Sequence, residues 1–561
     1  MKTYPWHSQY PPNIPHTIDP EVYTSLVDLL DSGFQKFSDL PCLENMGKQL
    51  SYAEVASLVD DMAAYFQNET DLKKGDRIAI QMPNLIQYPI AMFAALKCGL
   101  TVVNINPLYT ASEMEHQIND SGAKAIVILE NFAFNLEKIL SNTPIELVIT
   151  TEIGDMLGGF KKTLVNFVVK KIKKMVPKFS LPSAIKYNNT LALGAKSSFS
   201  KVEITGDDLA FLQYTGGTTG ISKGAMLSHR NIVANLEQVK GWLKILLEEG
   251  KEIVVTPLPL YHIFALTSNC FTMFSLGAHN LLITNPRDMP AFIKELGKHQ
   301  FTVMTGVNTL FNGLLNQEKF ASLDFSKLKV SIGGGMAVQK PVAEKWAQVT
   351  GTPLAEGYGL TETSPVLCVN PLDGNHRLGT IGVPMPSTEI KLINDDGQEV
   401  GFNEPGELCA KGPQIMTGYW EKPEETTTVM DGDWFKTGDI ATMDEDGFIR
   451  IVDRKKEMIL VSGFNVFPNE IEEALAKNEK VFEAGVIGVP DSKSNEAVKA
   501  FVVKKDPSLT EEELRTFAKE CLTAYKCPKH IEFIQELPKT NVGKILRRIL
   551  KEEDQKKNTY T

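Results

Sequence analysis

Capped amphipathic helices and short apolar strands alternate along the early chain, and few architectures accept that order. Ser51-Tyr-Ala-Glu54 is a capping box, in which serine and glutamate satisfy each other's free backbone donors. Val55, Leu58, Val59, Met62 and Phe66 then share one helical face. Arg77–Gln81 reads as a strand, Asn84 is expected to cap the next helix, and Gly99 stands at that helix's C-terminal cap. Ala125–Leu129 is a second strand, after the turn Asp120-Ser-Gly122. Strands interleaved with amphipathic helices predict parallel sheets flanked by helices.

After about Ser387 the texture changes. Asp396-Gly397 and Asp446-Gly447 separate β-rich runs, as in antiparallel hairpins. From about Lys456 a small α+β pattern follows. It has a helix over Asn469–Lys477, strands at Ala484–Val489 and Val498–Val503, and a second capping box at Thr510–Glu513. The expected fold class is α/β with α+β. A large N-terminal body, 1–453, combines helix-flanked sheets with a small β-rich part; a small α+β C-terminal domain covers 454–561. The polar tail Lys551–Thr561 is expected to fray.

The chain has 561 residues, about three or four domains' worth. Its net charge of −11 argues against a general nucleic-acid binder. Seven cysteines without a CxxC fit a reducing compartment. Met1–Pro15 is polar and proline-rich and lacks the apolar centre of a signal peptide. The stretch Ile253–Pro286 holds no Asp, Glu, Lys or Arg. Its prolines, histidines and asparagines suit buried interior, or the lining of an apolar ligand cavity, rather than a membrane span.

One segment departs from the acidic balance. Met156–Val202 carries ten lysines and no Asp or Glu. Leu164, Phe167, Val168 and Ile172 can share a helical face, with Lys170, Lys171, Lys173 and Lys174 near its edges. Two readings are open: an interfacial helix on anionic lipid, and a surface helix packed on the body by those same apolar residues.

Four clusters carry chemistry. The apolar run from Leu209 feeds Tyr214, Thr215, Gly216, Gly217, Thr218, Thr219, Gly220, Ser222, Lys223 and Gly224. Glycines let backbone amides surround phosphate oxygens, hydroxyls add donors, and lysine adds charge. The Walker spacing is absent, so this is phosphate binding of another type. In Glu356-Gly-Tyr-Gly-Leu-Thr-Glu362, Tyr358 can stack on a base, Thr361 can bond a phosphate, and Glu362 can hold Mg²⁺ or cap a helix. Gly335 closes a triple glycine that permits close backbone approach. Asp439 can accept from both hydroxyls of a ribose or serve as a turn carboxylate. Lys544 stands in a proline- and glycine-punctuated basic loop.

Together these segments resemble the adenylate-forming superfamily of acyl-CoA synthetases, firefly luciferases and peptide-synthetase adenylation domains. The likeness runs in order through YTGGTTGISKGA (214–225), EGYGLTE (356–362), WFKTGD (434–439), IVDRKKEMILVSGFNVFPNEIE (451–472) and PKTNVGKILRR (538–548). LPLYHIFAL (258–266), LLITNPRDMP (281–290), TGVNTLFNGLL (305–315) and VVNINPLYT (102–110) are similar to the bacterial long-chain fatty acid–CoA ligases of the β-oxidation pathway.

The resemblance implies ATP-dependent activation of a long-chain fatty acid to acyl-CoA through an acyl-adenylate, with release of AMP and pyrophosphate. It implies ATP, Mg²⁺ and coenzyme A. Tyr214 to Lys223 would surround the phosphates, with Gly335, Glu356, Gly357 and Gly359 shaping the nucleotide cleft. Thr215 and Glu362 would be Mg²⁺ contacts. Thr361 would touch the α-phosphate, Tyr358 would lie on adenine, and Asp439 and Arg454 would hold the ribose. Lys544 would bridge the carboxylate and the α-phosphate. The C-terminal domain would be mobile, with its hinge at Lys456, and would bring Ser462 and Gly463 to the pantetheine path. His262 would lie near the acyl-carbonyl and thiol entry. Phe264, Leu266, Phe271, Met273, Phe274, Val307 and Leu310 are expected acyl-wall residues. With the basic block at 160–178, the expected location is cytoplasmic and peripheral on the inner face of the inner membrane; a homodimer is admitted but not specified. The alternatives are an acyl-AMP ligase loading a carrier protein, a CoA ligase for medium-chain or aryl acids, and, outside enzymes, a lipid-binding pseudoenzyme.

Overall fold

Strands predicted to be parallel pair in parallel. The computed structural model describes residues 4–215, 222–462, 464–491, 494–540 and 545–559. Arg77–Gln81 and Ala125–Leu129 are strands with the expected bounds and pair directly. They belong to a seven-stranded sheet in the order Ile185–Lys186, Leu147–Thr151, Ala125–Leu129, Arg77–Gln81, Thr101–Asn104, Leu209–Thr215, Lys223–Ser228. Only the last pairing of that sheet is antiparallel. A nine-stranded sheet runs Val383–Pro384, Val366–Val369, Leu354–Gly359, Val330–Gly333, Val303–Gly306, Ile253–Thr256, His279–Leu282, Pro41–Asn45, Lys48–Ser51. Its interior pairings are parallel because helical crossovers return the chain to the same edge.

Ser51 and Glu54 form the capping box of the helix Tyr52–Asn68, which buries Val55, Val59, Met62 and Phe66. Asn84 does not cap the next helix, Gln87–Lys97. Its Nδ2 donates to the carbonyls of Thr256 and Leu258, and its Oδ1 accepts from Leu260 N. A side chain spent on three backbone groups of the facing sheet has nothing left for the helix end. At Thr510 half of the expected box forms, with the threonine side chain accepting from Glu513 N. The polar tail is helical over Arg547–Thr559 rather than frayed, and Asp554 anchors it to Lys499 at 2.5 Å.

The charge-free stretch lies inside the nine-stranded sheet. Ile253–Thr256 and His279–Leu282 are neighbouring strands, with the helical segments Ala265–Thr272 and Met273–Ser275 between them. No helix of the described residues is long and apolar enough to cross a membrane. One hydrophobic core reaches from Trp6 to Ile449 and takes in the β-rich sheet through Leu408, Ala410 and Phe435. Two separate cores occupy the small C-terminal domain, one from Ile459 to Ala518 and one joining Ile487 to Leu550.

Candidate active site

Residues of the first two clusters meet at the carboxyl ends of parallel strands, where open α/β sheets bind ligands. Ala210, Phe211 and Leu212 are fully buried and deliver Thr215 to the end of its strand. The chain returns antiparallel, with Thr215 opposite Lys223. Gly216, Gly217, Thr218, Thr219 and Gly220 lie outside the described residues, as do Gly463 and Lys544. The Lys223 ammonium is 2.5 Å from Glu425 and lies 4.9 Å from the centre of the Tyr419 ring. Tyr214 points elsewhere: its hydroxyl donates to Asp120 Oδ2 at 2.7 Å, and Lys422 holds the other oxygen at 3.0 Å.

Tight backbone packing shapes the second wall. A side chain at Gly359 would place its Cβ 1.9 Å from the Pro365 carbonyl oxygen, so only glycine fits. Gly335 has φ +76°, in the left-handed region. Gly334 is wedged between the Phe264 ring and the Gly357 carbonyl, each 3.1 Å from where a Cβ would stand. The partly enclosed Glu356 carboxyl is pushed up to about 8 by burial, against a backbone hydrogen bond from Val338.

Asp439 organises the third group. Tyr358 donates its hydroxyl to Asp439 Oδ2 at 2.5 Å, and Arg454 Nε lies 3.2 Å from Oδ1. Burial pushes the Tyr358 phenol up, and the Asp439 charge adds to it. Burial opposes the Arg454 charge, but Asp439 and Tyr358 outweigh it. Lys456 is pushed down by burial and by Arg454.

Thr361 and Glu362 sit on the short turn Thr361–Thr363, where Glu362 is buried. Glu362 Oε1 accepts from the hydroxyl of Tyr419 at 2.7 Å. Tyr419 reaches it because its loop is stitched to both walls: Trp420 N donates to Gly224 O and Met416 N to Glu362 O, each at 2.8 Å. The sequence reading missed Tyr419, whose setting between Gly418 and Trp420 has no charge or spacing to mark it. Lys223 thus neighbours Glu362 through Tyr419, and Arg454 neighbours Tyr358 through Asp439. Cations set beside fixed carboxylates suit a ligand that carries both phosphates and hydroxyls.

His262 is half-buried, and its Nδ1 accepts from Phe264 N at 3.3 Å. Six of the seven expected acyl-wall residues are buried in the large core, and Phe264 packs against it. Phe264 packs on Gly334, Val307 approaches Gly335, and Leu310 packs beside Gly306. Phe274 meets Phe34, Tyr52 and Phe93 at ring separations of 5.0, 4.9 and 5.5 Å.

On the C-terminal side, Ser462 follows the strand Ile459–Val461, and its N–H donates to Ser494 O at 2.7 Å. Arg547 pairs with Glu457, with Glu472 at 2.8 Å and with the fully buried Asp453 at 3.5 Å. Asp453 also accepts from Asn469 N and Arg454 N. One buried carboxylate therefore ties the Arg454 strand to the C-terminal domain.

The AMP-binding enzyme model matches residues 30–420, and the AMP-binding enzyme C-terminal domain matches 470–544. The chain is 56% identical over 548 residues to a long-chain-fatty-acid--CoA ligase of Escherichia coli O157:H7, covering 98% of each. It is 38% identical to the protein of that name from Bacillus subtilis (strain 168), again covering 98% of each. Among solved structures it resembles ATP-bound MatB from Rhodopseudomonas palustris, with TM-score 0.80, 26% identity and coverage of 94% and 98%. It shares the fold of an anthranilate CoA ligase in complex with anthranoyl-AMP, with TM-score 0.86, 22% identity and coverage of 97% and 100%.

Proposed function

This chain belongs to the AMP-binding enzyme family, and on that premise we propose how its residues carry ATP-dependent activation of long-chain fatty acids to acyl-CoA. The observation that carries the reading is the pair of linked groups Lys223–Tyr419–Glu362 and Tyr358–Asp439–Arg454. In the first half-reaction the fatty acid carboxylate attacks the α-phosphorus of ATP and pyrophosphate leaves. Asp439 and Arg454 hold the ribose, Tyr358 covers the base, and Thr361 bonds the α-phosphate. Lys223 and the 216–220 segment draw off the charge of the leaving pyrophosphate. Lys544 supplies positive charge at the attacking carboxylate. In the second half-reaction the CoA thiol attacks the acyl-adenylate carbonyl and AMP leaves, with His262 beside the carbonyl and Ser462 and Gly463 along the pantetheine path.

Glu362 is a buried oxygen donor held from one side by Tyr419, which suits a hard cation. Glu362 and Thr215 would hold Mg²⁺, which supplies charge neutralisation on the phosphates when bound. The domain division falls at 453/454, with the hinge at Lys456. Its support is that the large core ends at Ile449 and the first C-terminal core begins at Ile459.

Membrane attachment, and with it a cytoplasmic location against the inner membrane, rests on the helix Gly159–Phe167 and its continuation Val168–Ile172. This helix is inverted. Lys162 pairs with Asp155, Asn166 with Gly154 and Glu152, and Lys170 with Glu130 and Glu152, so its polar side grips the body. Phe160, Leu164, Phe167 and Ile172 face outward with exposures of 79, 46, 55 and 64%. A surface helix normally turns its apolar stripe inward. An outward stripe flanked by the exposed Lys171, Lys173 and Lys174 matches an anionic lipid surface.

The activity is tested by incubating the chain with ATP, Mg²⁺, CoA and oleate. The expected products are oleoyl-CoA, AMP and pyrophosphate, and release of ADP overturns the assignment.

A further inference from the structure

Four titratable side chains converge far from the cleft in sequence and role. Glu44 lies in the strand Pro41–Asn45 and registers with Leu281 of the parallel strand His279–Leu282. Residues 279 and 281 share a sheet face, so Glu44 and His279 do as well. Glu295 and His299 come from the end of the helix Met289–Leu296 and the turn after it. His279 Nε2 is 3.2 Å from Glu44 Oε2. His299 Nε2 is 3.5 Å from Glu44 Oε1 and 3.8 Å from Glu295 Oε1. One donor atom each from Glu44, Glu295 and His299 lie within 4.8 Å of one another.

These atoms are close without being hydrogen-bonded. The Nε2 of His279, the Nε2 of His299 and the Oε1 of Glu295 are buried and lack a hydrogen-bond partner among the described residues. Glu44 is 93% buried, its exposure being 7%. Lys298 takes the other oxygen of Glu295 at 2.5 Å, which fixes the carboxylate with Oε1 inward. Buried polar atoms that converge without a hydrogen bond between them are costly to leave unpaired. A cation at their centre removes that cost.

The spacing selects the ion. Zinc held at about 2.0–2.1 Å in a tetrahedron sets neighbouring donor atoms about 3.3–3.4 Å apart. His299 Nε2, at 3.5 Å from Glu44 Oε1 and 3.8 Å from Glu295 Oε1, stands slightly wider than that edge. An imidazole ligand disfavours Mg²⁺ and Ca²⁺, which take oxygen ligands. We propose that Glu44, Glu295 and His299 form a site for a zinc-type divalent cation, with His279 against the other oxygen of Glu44. The ion ties an early strand to a later helix of the large body, and its binding energy adds to the stability of the fold.

The probe is Zn²⁺, with Co²⁺ as its coloured substitute, on the full-length chain stripped by a chelator. Wild type should retain about one Zn²⁺ per chain, melt at higher temperature with it, and give the intense visible bands of tetrahedral Co²⁺. His279→Gln with His299→Gln should weaken Zn²⁺ binding by at least about tenfold, while the metal-free melting temperature and the ligase activity stay near wild type. Should that double variant fail to fold, Glu295→Gln, at the more exposed edge, must show the loss. Glu362→Gln should leave the zinc in place, which separates this site from the nucleotide cleft. Equal zinc retention in wild type and the double variant overturns the proposal. So does a wild type that retains none, because the histidines then only pair with Glu44.

Discussion

Tyr419 holds Glu362 through one hydrogen bond, and that bond is removable without touching the cleft's shape. A hydrogen bond to a buried carboxylate is worth about 1.5–3 kcal/mol. Tyr419→Phe should therefore lower kcat for adenylate formation by about ten- to a hundredfold and leave the fatty acid KM nearly unchanged. A fall in KM-dependent binding alone would contradict the positioning role. His229 gives a pH signature. It is almost fully buried, and its Nδ1 accepts from Leu26 N at 3.2 Å. Burial pushes it down from 6.5 to about 4, although Asp208 pulls the other way. Between those two values the unfolded chain binds a proton that the folded chain refuses. Stability is thus intact above pH 6.5 and falls by about 3 kcal/mol as pH drops toward 4. Urea titrations of wild type and His229→Gln across that window should differ in slope; parallel curves would refute the assignment. At this scale legibility was uneven. Tyr358 and Asp439 carried a motif that announced them, whereas Tyr419 and Glu425 act through contacts across the chain. Glu44 and His299 are paired only by sheet register and a helix end, neither of which leaves a local pattern.

Among elements, the strands Arg77–Gln81 and Ala125–Leu129 were legible to the residue, because a short apolar run bounded by polar turns admits little else. Asn84 was not, because a cap and a cross-sheet clamp use the same amide. The segment 253–286 was correctly read as interior. Its internal packing was not legible, since apolar character alone does not say which ring meets Phe93 and which meets Gly334. The basic helix left two readings open from its pattern, and the contacts of Lys162, Asn166 and Lys170 show only that its polar side, and not its apolar one, packs on the body. Leu164→Ser with Phe167→Ser should abolish co-sedimentation with phosphatidylglycerol vesicles. Folding stability should change by no more than about 0.5 kcal/mol, since both side chains are already exposed. Activity on detergent-dispersed oleate should persist. Unchanged vesicle binding would return the helix to an ordinary surface element.

At the scale of the whole molecule, the proposed mechanism has one cleft serve two reactions, with the C-terminal domain supplying different residues to each. Lys544→Ala should abolish adenylate formation from oleate and ATP yet leave transfer from supplied oleoyl-AMP to CoA largely intact. Equal loss in both steps would contradict two poses. Asp453, which accepts from Arg454 N and Asn469 N and faces Arg547, stands at the domain division proposed above.

The cores of the large body and of the C-terminal domain do not merge, and that has a calorimetric consequence. Heating exposes each domain's apolar surface on its own schedule, so the heat capacity trace should show two endotherms of unequal area. Enthalpy of about 0.7 kcal/mol per residue near 60 °C assigns the larger to the N-terminal body. Each domain then has its own melting temperature, and a nucleotide that bridges the domains should draw the two peaks together.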